Sequence, residues 1–397
     1  MHLTFAEYLP TPGLMPKRIA YIHGQPLPSR AANTFQVAKM CQALVQEGYP
    51  TELFAPANSV ASLSPQDFRR HYGLETGYPV HLFRSWLVTR GYDFILRTLW
   101  YVKRGQFDLV FSRHLAAAMW TAQIGIPTLY EGHVLPGKRL GSVYFRRLAR
   151  QTAFQGLIVI SPVLGKYYRD RFADCLTPER LIVEPDGVDL ERFTPVADRV
   201  AARQRLRLPS GFVAGYTGHL YPGRGIALIT ELAQRLPETT FILVGGEDAD
   251  IAYWQGETRR KGIGNLRFTG FVPNSQIPFY LAACDALLMP YQHWVPIIGM
   301  PAGTYSSHQW MSPIKLFEYM AAQRPIIASD LPALRNFLGE DNAVLCPPDV
   351  PKAWEIALRK LQTHPERAQS RARQARQDVV HYTWRARVRR ILAQLDG

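Results

Sequence analysis

Short apolar runs alternate with longer stretches of helical period along this chain. "RIAYIH" (18–23) is apolar and bounded by Gly24. It is followed by "TFQVAKMCQALVQEG" (34–48), where Phe35, Val37, Ala38, Cys41, Leu44 and Val45 share one side and Gly48 supplies a C-terminal stop. "TELFAP" (51–56), "DLVFSR" (108–113), "PTLYEG" (127–132), "LIVIS" (157–161) and "RLIVE" (180–184) read as further strands.

The pattern then restarts. "FVAGYTG" (212–218) leads into the helical "GIALITELAQRL" (225–236), and "TFILVGG" (240–246), "NLRFTGF" (265–271), "DALLMP" (285–290) and "RPIIAS" (324–329) follow with helical sequence between them. Strands alternating with helices predict parallel sheets covered on both faces. The restart predicts an α/β protein of two doubly wound, Rossmann-like domains. The turn-rich "PDGVDLERFTP" (185–195) is the expected linker. Residues 1–16 are expected to be an extension ahead of the first strand, 17–190 the first domain, and 191–378 the second. Ligands of open α/β sheets bind beyond the carboxyl ends of the strands, so a site is expected in a cleft that the two domains face.

Composition narrows the class. The 397 residues, 47% hydrophobic and 20% charged, suit two ordinary domains with ample core. No run of 18 apolar residues predicts a transmembrane helix, and "MHLTFAEYLPTPGLMPK" lacks the basic and apolar regions of a secretory signal. Cys41, Cys175, Cys284 and Cys346 form no C-x-x-C pair and no zinc spacing, so free thiols in a reducing cytoplasm are expected and no metal site. A net charge of +14 favours an anionic partner: nucleic acid, an acidic membrane face or a phosphorylated ligand.

Two stretches carry candidate chemistry. "YTGHLYPGRGIAL" follows the first strand of the second domain and contains Gly218, Gly223 and Gly225 with His219 and Arg224. Glycines admit a phosphate close to the backbone, and an arginine can grip it with two donors. The same residues could equally make a plain turn with surface charges, and the spacing is not G-x-G-x-x-G. "MSPIKLFEYM" (311–320) opens a helix, with Ser312 as expected N-cap and Pro313 at its first position. Lys315 then lies in the first turn, where the helix dipole disfavours a cation by about 0.3–1 kcal/mol. A diphosphate bound by the amides of Ile314 and Lys315 would make that lysine a partner, and Glu318, one turn on, could accept from two ribose hydroxyls. Alternatively, Lys315 and Glu318 form a local surface pair.

Together, "PDGVDLERF", "YTGHLYPGRGI", "FILVGG", "LRFTGFVP" and "SPIKLFEYMAAQRPIIAS", in that order, resemble the retaining glycosyltransferases of family four, from about residue 17 onward. The resemblance implies a GT-B fold with a nucleotide sugar on the second domain. Arg224 matches a diphosphate-binding cation, and His219 stands where the family has arginine. "TGFVP" is similar to the loop meeting the base, through the backbone near Phe271 and Val272. Glu318 matches the ribose-binding glutamate, while Trp310 stands where the family has its paired glutamate eight residues earlier. In the first domain "LYEGHVLP" resembles the loop carrying the active-site histidine, here His133. "HGQPLPSRAAN" (23–33) matches the acceptor-side loop, with His23 and Asn33, though it lacks the usual glycine-rich run. The last helix, within 379–397, is expected to cross back onto the first domain.

The function so implied is retaining transfer from a nucleoside diphosphate sugar to an acceptor hydroxyl, with no metal and no other cofactor. His133 and Arg224 are the expected catalytic residues. Gly218, His219, Arg224, Phe271, Val272, Ser312, Ile314, Lys315 and Glu318 are the expected donor site. A nucleotide-sugar epimerase and a non-catalytic basic docking protein are the rivals. The arginine-rich C-terminal region, including Arg385, Arg387, Arg389 and Arg390, is either a solvated face or a surface attracted to the anionic inner face of a membrane. No nucleic acid is expected, because the arginines are not interleaved with aromatics.

Overall fold

The computed structural model describes residues 2–3, 17–58, 64–84, 91–194, 196, 198–296 and 306–395. The chain divides into two compact units. The first is Met1–Asp186 with Trp384–Gly397, and the second is Gly187–Thr383.

The first unit contains β1 (His2–Leu3), β2 (Ile19–Ile22), β3 (Thr51–Pro56), β4 (Val80–Phe83), β5 (Leu109–Ser112), β6 (Thr128–Gly132), β7 (Phe154–Val159) and β8 (Leu181–Val183). They form one sheet in the order β1-β4-β3-β2-β5-β6-β7-β8. All neighbours are parallel except β1 on β4. Ile22 at the end of β2 lies level with Phe54 and Ser112 on its two neighbours. Every residue of β2 is buried, as expected of a parallel strand covered on both faces. The Trp384–Ala393 helix packs on the Ala32–Gln46 helix of this unit.

The second unit contains β9 (Val213–Thr217), β10 (Thr240–Val244), β11 (Leu266–Phe268), β12 (Ala286–Met289), β13 (Ile326–Ser329) and β14 (Val344–Cys346). They form a parallel sheet in the order β11-β10-β9-β12-β13-β14. One of its cores joins Ile242, Val244, Leu287 and Met289 to Leu316, Phe317 and Met320 of the Ile314–Ala321 helix.

Several expectations shift. His2–Leu3, read as part of an extension, pair with β4. Residues 187–190 and 379–383 belong to the second unit rather than the first. There Val188 N–H donates to the Tyr382 carbonyl at 2.9 Å, and Val379 and Phe193 are in that unit's core. Ser312 is not the N-cap. The helix begins at Ile314 with Pro313 as cap, because Leu316 N–H already bonds the Pro313 carbonyl. All four cysteines are free, and Cys41, Cys284 and Cys346 are buried.

Candidate functional site

In each sheet the strand order reverses at one place, which is where open α/β sheets bind ligands. In the second unit this place lies between β9 and β12. Gly218 and His219 follow β9, and Tyr291 follows β12. Gly218 has φ +119°, a left-handed backbone that favours glycine, and a Cβ there would lie 2.6 Å from Lys315 Nζ. Lys315 Nζ donates to the Thr217 carbonyl and sits 4.0 Å from the centre of the Tyr216 ring. Arg224 donates to the Tyr221 hydroxyl, with its guanidinium 4.8 Å from the Tyr291 ring centre. Its Nε is buried without a partner.

This region holds more positive charge than it balances. Burial, and then the neighbouring Arg224, hold the Lys315 ammonium well below the usual lysine range. Burial, Arg224 and Lys315 together push the His219 imidazole down to about 4. His219 is therefore a neutral hydrogen-bonding group near pH 7, not a replacement cation for the arginine whose place it takes. The helix start at Ile314 and Lys315 adds its own partial positive charge. An anion would relieve all of these at once.

Glu318 is buried on the same helix; its charge favours the Lys315 ammonium, against burial and Arg224, and it also pairs with Arg192. Arg192 Nη1 reaches its Oε1 at 3.4 Å, while Arg192 Nη2 donates to the Asn274 carbonyl. Arg192 thus ties the segment after the first unit to Glu318 and to the loop holding Phe271 and Val272. That loop is anchored at its other end, where Gly245 N–H donates to the Gly270 carbonyl at 2.9 Å. Phe271 is exposed and Val272 half-buried. Ser312 and Trp310 are buried just ahead of the helix.

In the first unit the reversal lies between β2 and β5. His23 follows β2, and Arg113 and His114 follow β5. His23 is 2% exposed, yet neither ring nitrogen has a partner. Burial, Arg113 and His114 lower its pKa to about 3, so it is neutral. The Asn33 amide donates to Gln25 at 2.7 Å, and the Asn33 backbone carbonyl accepts from Arg113 at 3.1 Å.

His133 follows β6, and Gly132 before it has no room for a side chain, since a Cβ would meet Tyr168 Oη at 2.5 Å. The imidazole Nε2 is 2.8 Å from Glu131 Oε1. Glu131 also accepts from Tyr21 (2.9 Å), Gln36 (2.8 Å) and Arg387 (2.9 Å). Burial would raise this carboxyl, but Arg387, His133 and Arg113 hold it well below the usual range. An ionised carboxylate only accepts, so the imidazole proton bonded to it is on Nε2. Arg387 is itself buried and donates to the Pro185 carbonyl at 2.7 Å. Asp186 lies beside His133, and burial raises its carboxyl pKa.

Oxygen and nitrogen atoms of Glu131, His133 and Asp186 lie within 4.8 Å of one another, a spacing a metal ion could use. The donor set fits one poorly. Glu131 already accepts from four side chains, and one of them is a guanidinium whose charge would oppose a cation.

Arginines of the C-terminal helix find carboxylate partners within the first unit. Arg385 and Arg389 pair with Glu47, and Arg390 with Glu184. These are pairs at the surface, since all three arginine side chains stay substantially exposed. Among the described residues, no helix is long and apolar enough to cross a membrane.

Sequence reasoning assigned no site role to Arg192, Arg113, Glu131 or Asp186, and it placed Arg387 only among the C-terminal arginines. The only signals were indirect: Asp186 and Arg192 lie within "PDGVDLERF", and Glu131 within "LYEGHVLP".

Comparison with known proteins places this arrangement. By fold it is a GT-B protein. Anabaena HepE in complex with UDP-glucose superposes with a TM-score of 0.73 at 16% identity, covering 96% of this chain and 99% of that one. A family model described as "Glycosyltransferase Family 4" matches residues 35–192, and one described as "Glycosyl transferases group 1" matches residues 211–364. The chain belongs to the GT4-like glycosyltransferases. A D-inositol 3-phosphate glycosyltransferase of Segniliparus rotundus is 24% identical over 226 residues, 54% of this chain and 46% of that protein. A GDP-mannose-dependent alpha-(1-6)-phosphatidylinositol monomannoside mannosyltransferase of Mycolicibacterium smegmatis is 31% identical over 134 residues, 32% of this chain and 35% of that protein. The chain thus spans less than half the length of both relatives.

Proposed function

We propose that this chain transfers a sugar from a nucleoside diphosphate sugar to an acceptor hydroxyl with retention of configuration. The observation that carries this reading is the cluster of Arg224, Lys315 and the Ile314 helix start at the β9 end, with Glu318 paired to Arg192 nearby. Arg224, Lys315 and the two free helix amides stabilise the charge that develops on the leaving diphosphate. His219 adds a neutral hydrogen bond. Glu318 accepts from the ribose hydroxyls, and the backbone near Phe271 and Val272 meets the base.

Retention follows if the departing phosphate takes the acceptor's proton on the face it leaves. No pair of catalytic carboxylates is then required. His133, its proton fixed on Nε2 by Glu131, contacts the transferred sugar, and the two unpartnered nitrogens of His23 supply acceptor-side bonds. The cations here do the work a metal would otherwise do, so turnover is expected to persist in a chelator. Relatives named for inositol phosphate and phosphatidylinositol mannoside acceptors suggest that a phosphorylated or lipid-linked polyol be among the first tried.

The test is thermal unfolding against UDP, GDP, ADP and dTDP. One nucleotide should raise the melting temperature, and Lys315→Ala and Glu318→Ala should each blunt that rise. No shift from any nucleotide at low salt would remove the donor reading. With the base known, product anomers read by NMR decide retention, and conversion of donor without acceptor would indicate an epimerase.

A further inference from the structure

The first unit carries an exposed surface that the transfer reading does not use. The Tyr92–Arg104 helix buries Phe94, Ile95, Thr98 and Val102. Its opposite side presents Tyr92, Leu96 and Trp100, each four residues apart and therefore in one stripe. Leu96 is 67% exposed and Trp100 54%. Arg97, Lys103 and Arg104 flank the stripe, and the Arg104 guanidinium lies 4.7 Å from the Trp100 ring centre.

The Lys138–Ala149 helix continues this surface. Its Tyr144 hydroxyl is 2.8 Å from that of Tyr92, which joins the two helices edge to edge. It exposes Leu140 (59%) and Val143 together with Arg139 and Arg147. Its sequence, KRLGSVYFRRLA, has four basic residues and no acid. Across both helices Asp93 is the single acidic residue.

Exposed leucine, valine, tryptophan and tyrosine ringed by arginine and lysine match a surface that is apolar a few ångströms down and anionic at its face. Tryptophan and tyrosine favour that boundary, and each nearby cation adds attraction to acidic headgroups. A second copy of this chain would bring the same arginines against one another, so self-association is disfavoured by charge. We infer that the Tyr92–Arg104 and Lys138–Ala149 helices form a docking face for an anionic lipid bilayer. This face is separate from the C-terminal arginines, whose partners are Glu47, Glu131 and Glu184.

The full chain is to be co-sedimented with vesicles of phosphatidylcholine alone and with a quarter or so of phosphatidylglycerol. Binding should need the anionic lipid and weaken with salt. Leu96→Glu with Trp100→Glu should lower the partition coefficient at least tenfold, and Leu140→Glu should act in the same direction. Arg385→Ala with Arg389→Ala should leave it unchanged. Because the substituted stripe residues are exposed, melting temperature and the nucleotide-induced shift should match the parent, which separates this inference from the donor reading. Equal binding to both vesicles, binding unaffected by the glutamates, or a dimer broken by Leu96→Glu without vesicle binding would each overturn it.

Discussion

The two candidate regions solve opposite electrostatic problems. In the first unit the charged groups answer one another: Glu131 is held by Arg387, Tyr21, Gln36 and His133, with Arg113 beyond, and Arg387 is held in turn by the Pro185 carbonyl. In the second unit Lys315 and Arg224 rest on carbonyl, hydroxyl and aromatic faces, and each depresses the ionisation of its neighbours. A balanced network fixes geometry, whereas an unbalanced cluster of cations favours binding an anion. That difference is what the proposed division rests on, with positioning by the first unit and donor binding by the second.

Breaking the balanced side should have the largest effect on stability. Removing Arg387 by substitution to Met leaves the buried Glu131 charge unpaired, a loss expected to cost about 3–5 kcal/mol. Urea denaturation should show it, and pairing the change with Glu131→Gln should recover much of it. The pH dependence has a defined sign. Glu131 titrates lower in the folded protein than in the unfolded chain, so its contribution is full above the unfolded carboxylate range and disappears as pH falls through the folded value. The double variant should therefore lose less stability than the parent on acidification.

On the unbalanced side, stability should barely change and binding should collapse. Lys315→Ala is expected to weaken the nucleotide by about tenfold or more, the scale of one charge-assisted contact. A diphosphate favours the ammonium that burial disfavours, so binding takes up a proton at pH values above the depressed Lys315 value. Affinity should fall as pH rises through the depressed Lys315 value, and Lys315→Arg should flatten that fall; calorimetry in buffers of different ionisation enthalpy reads the proton directly. Smallest of all, Arg389→Ala at the exposed pair with Glu47 should leave the urea midpoint nearly unchanged.

How much of this was legible in sequence depended on distance along the chain. The buried strands β2 and β9 and the helices beside them are dictated by local pattern, and the glycines and cations after β9 announce themselves at a strand end. The short β4 and β14 were not read. β4 alternates over only four residues, and β14 has three. Ser312 looked like a cap because serine before proline usually is one, but the carbonyl of Pro313 took the first helical bond. The decisive pairs were beyond any periodicity: Arg387 and Glu131 are 256 positions apart, and Arg192 and Glu318 are 126 apart. No local pattern marks a buried arginine among several exposed ones on the same helix.

The return of residues 384–393 to the first unit has a consequence for synthesis. The second unit, residues 187–383, can close its sheet as soon as it has left the ribosome. The first unit, although begun earlier, cannot complete the surroundings of Glu131 until Arg387 has been made. Its buried carboxylate must wait for a partner through the translation of the whole intervening domain, so the older half of the chain is the later to mature.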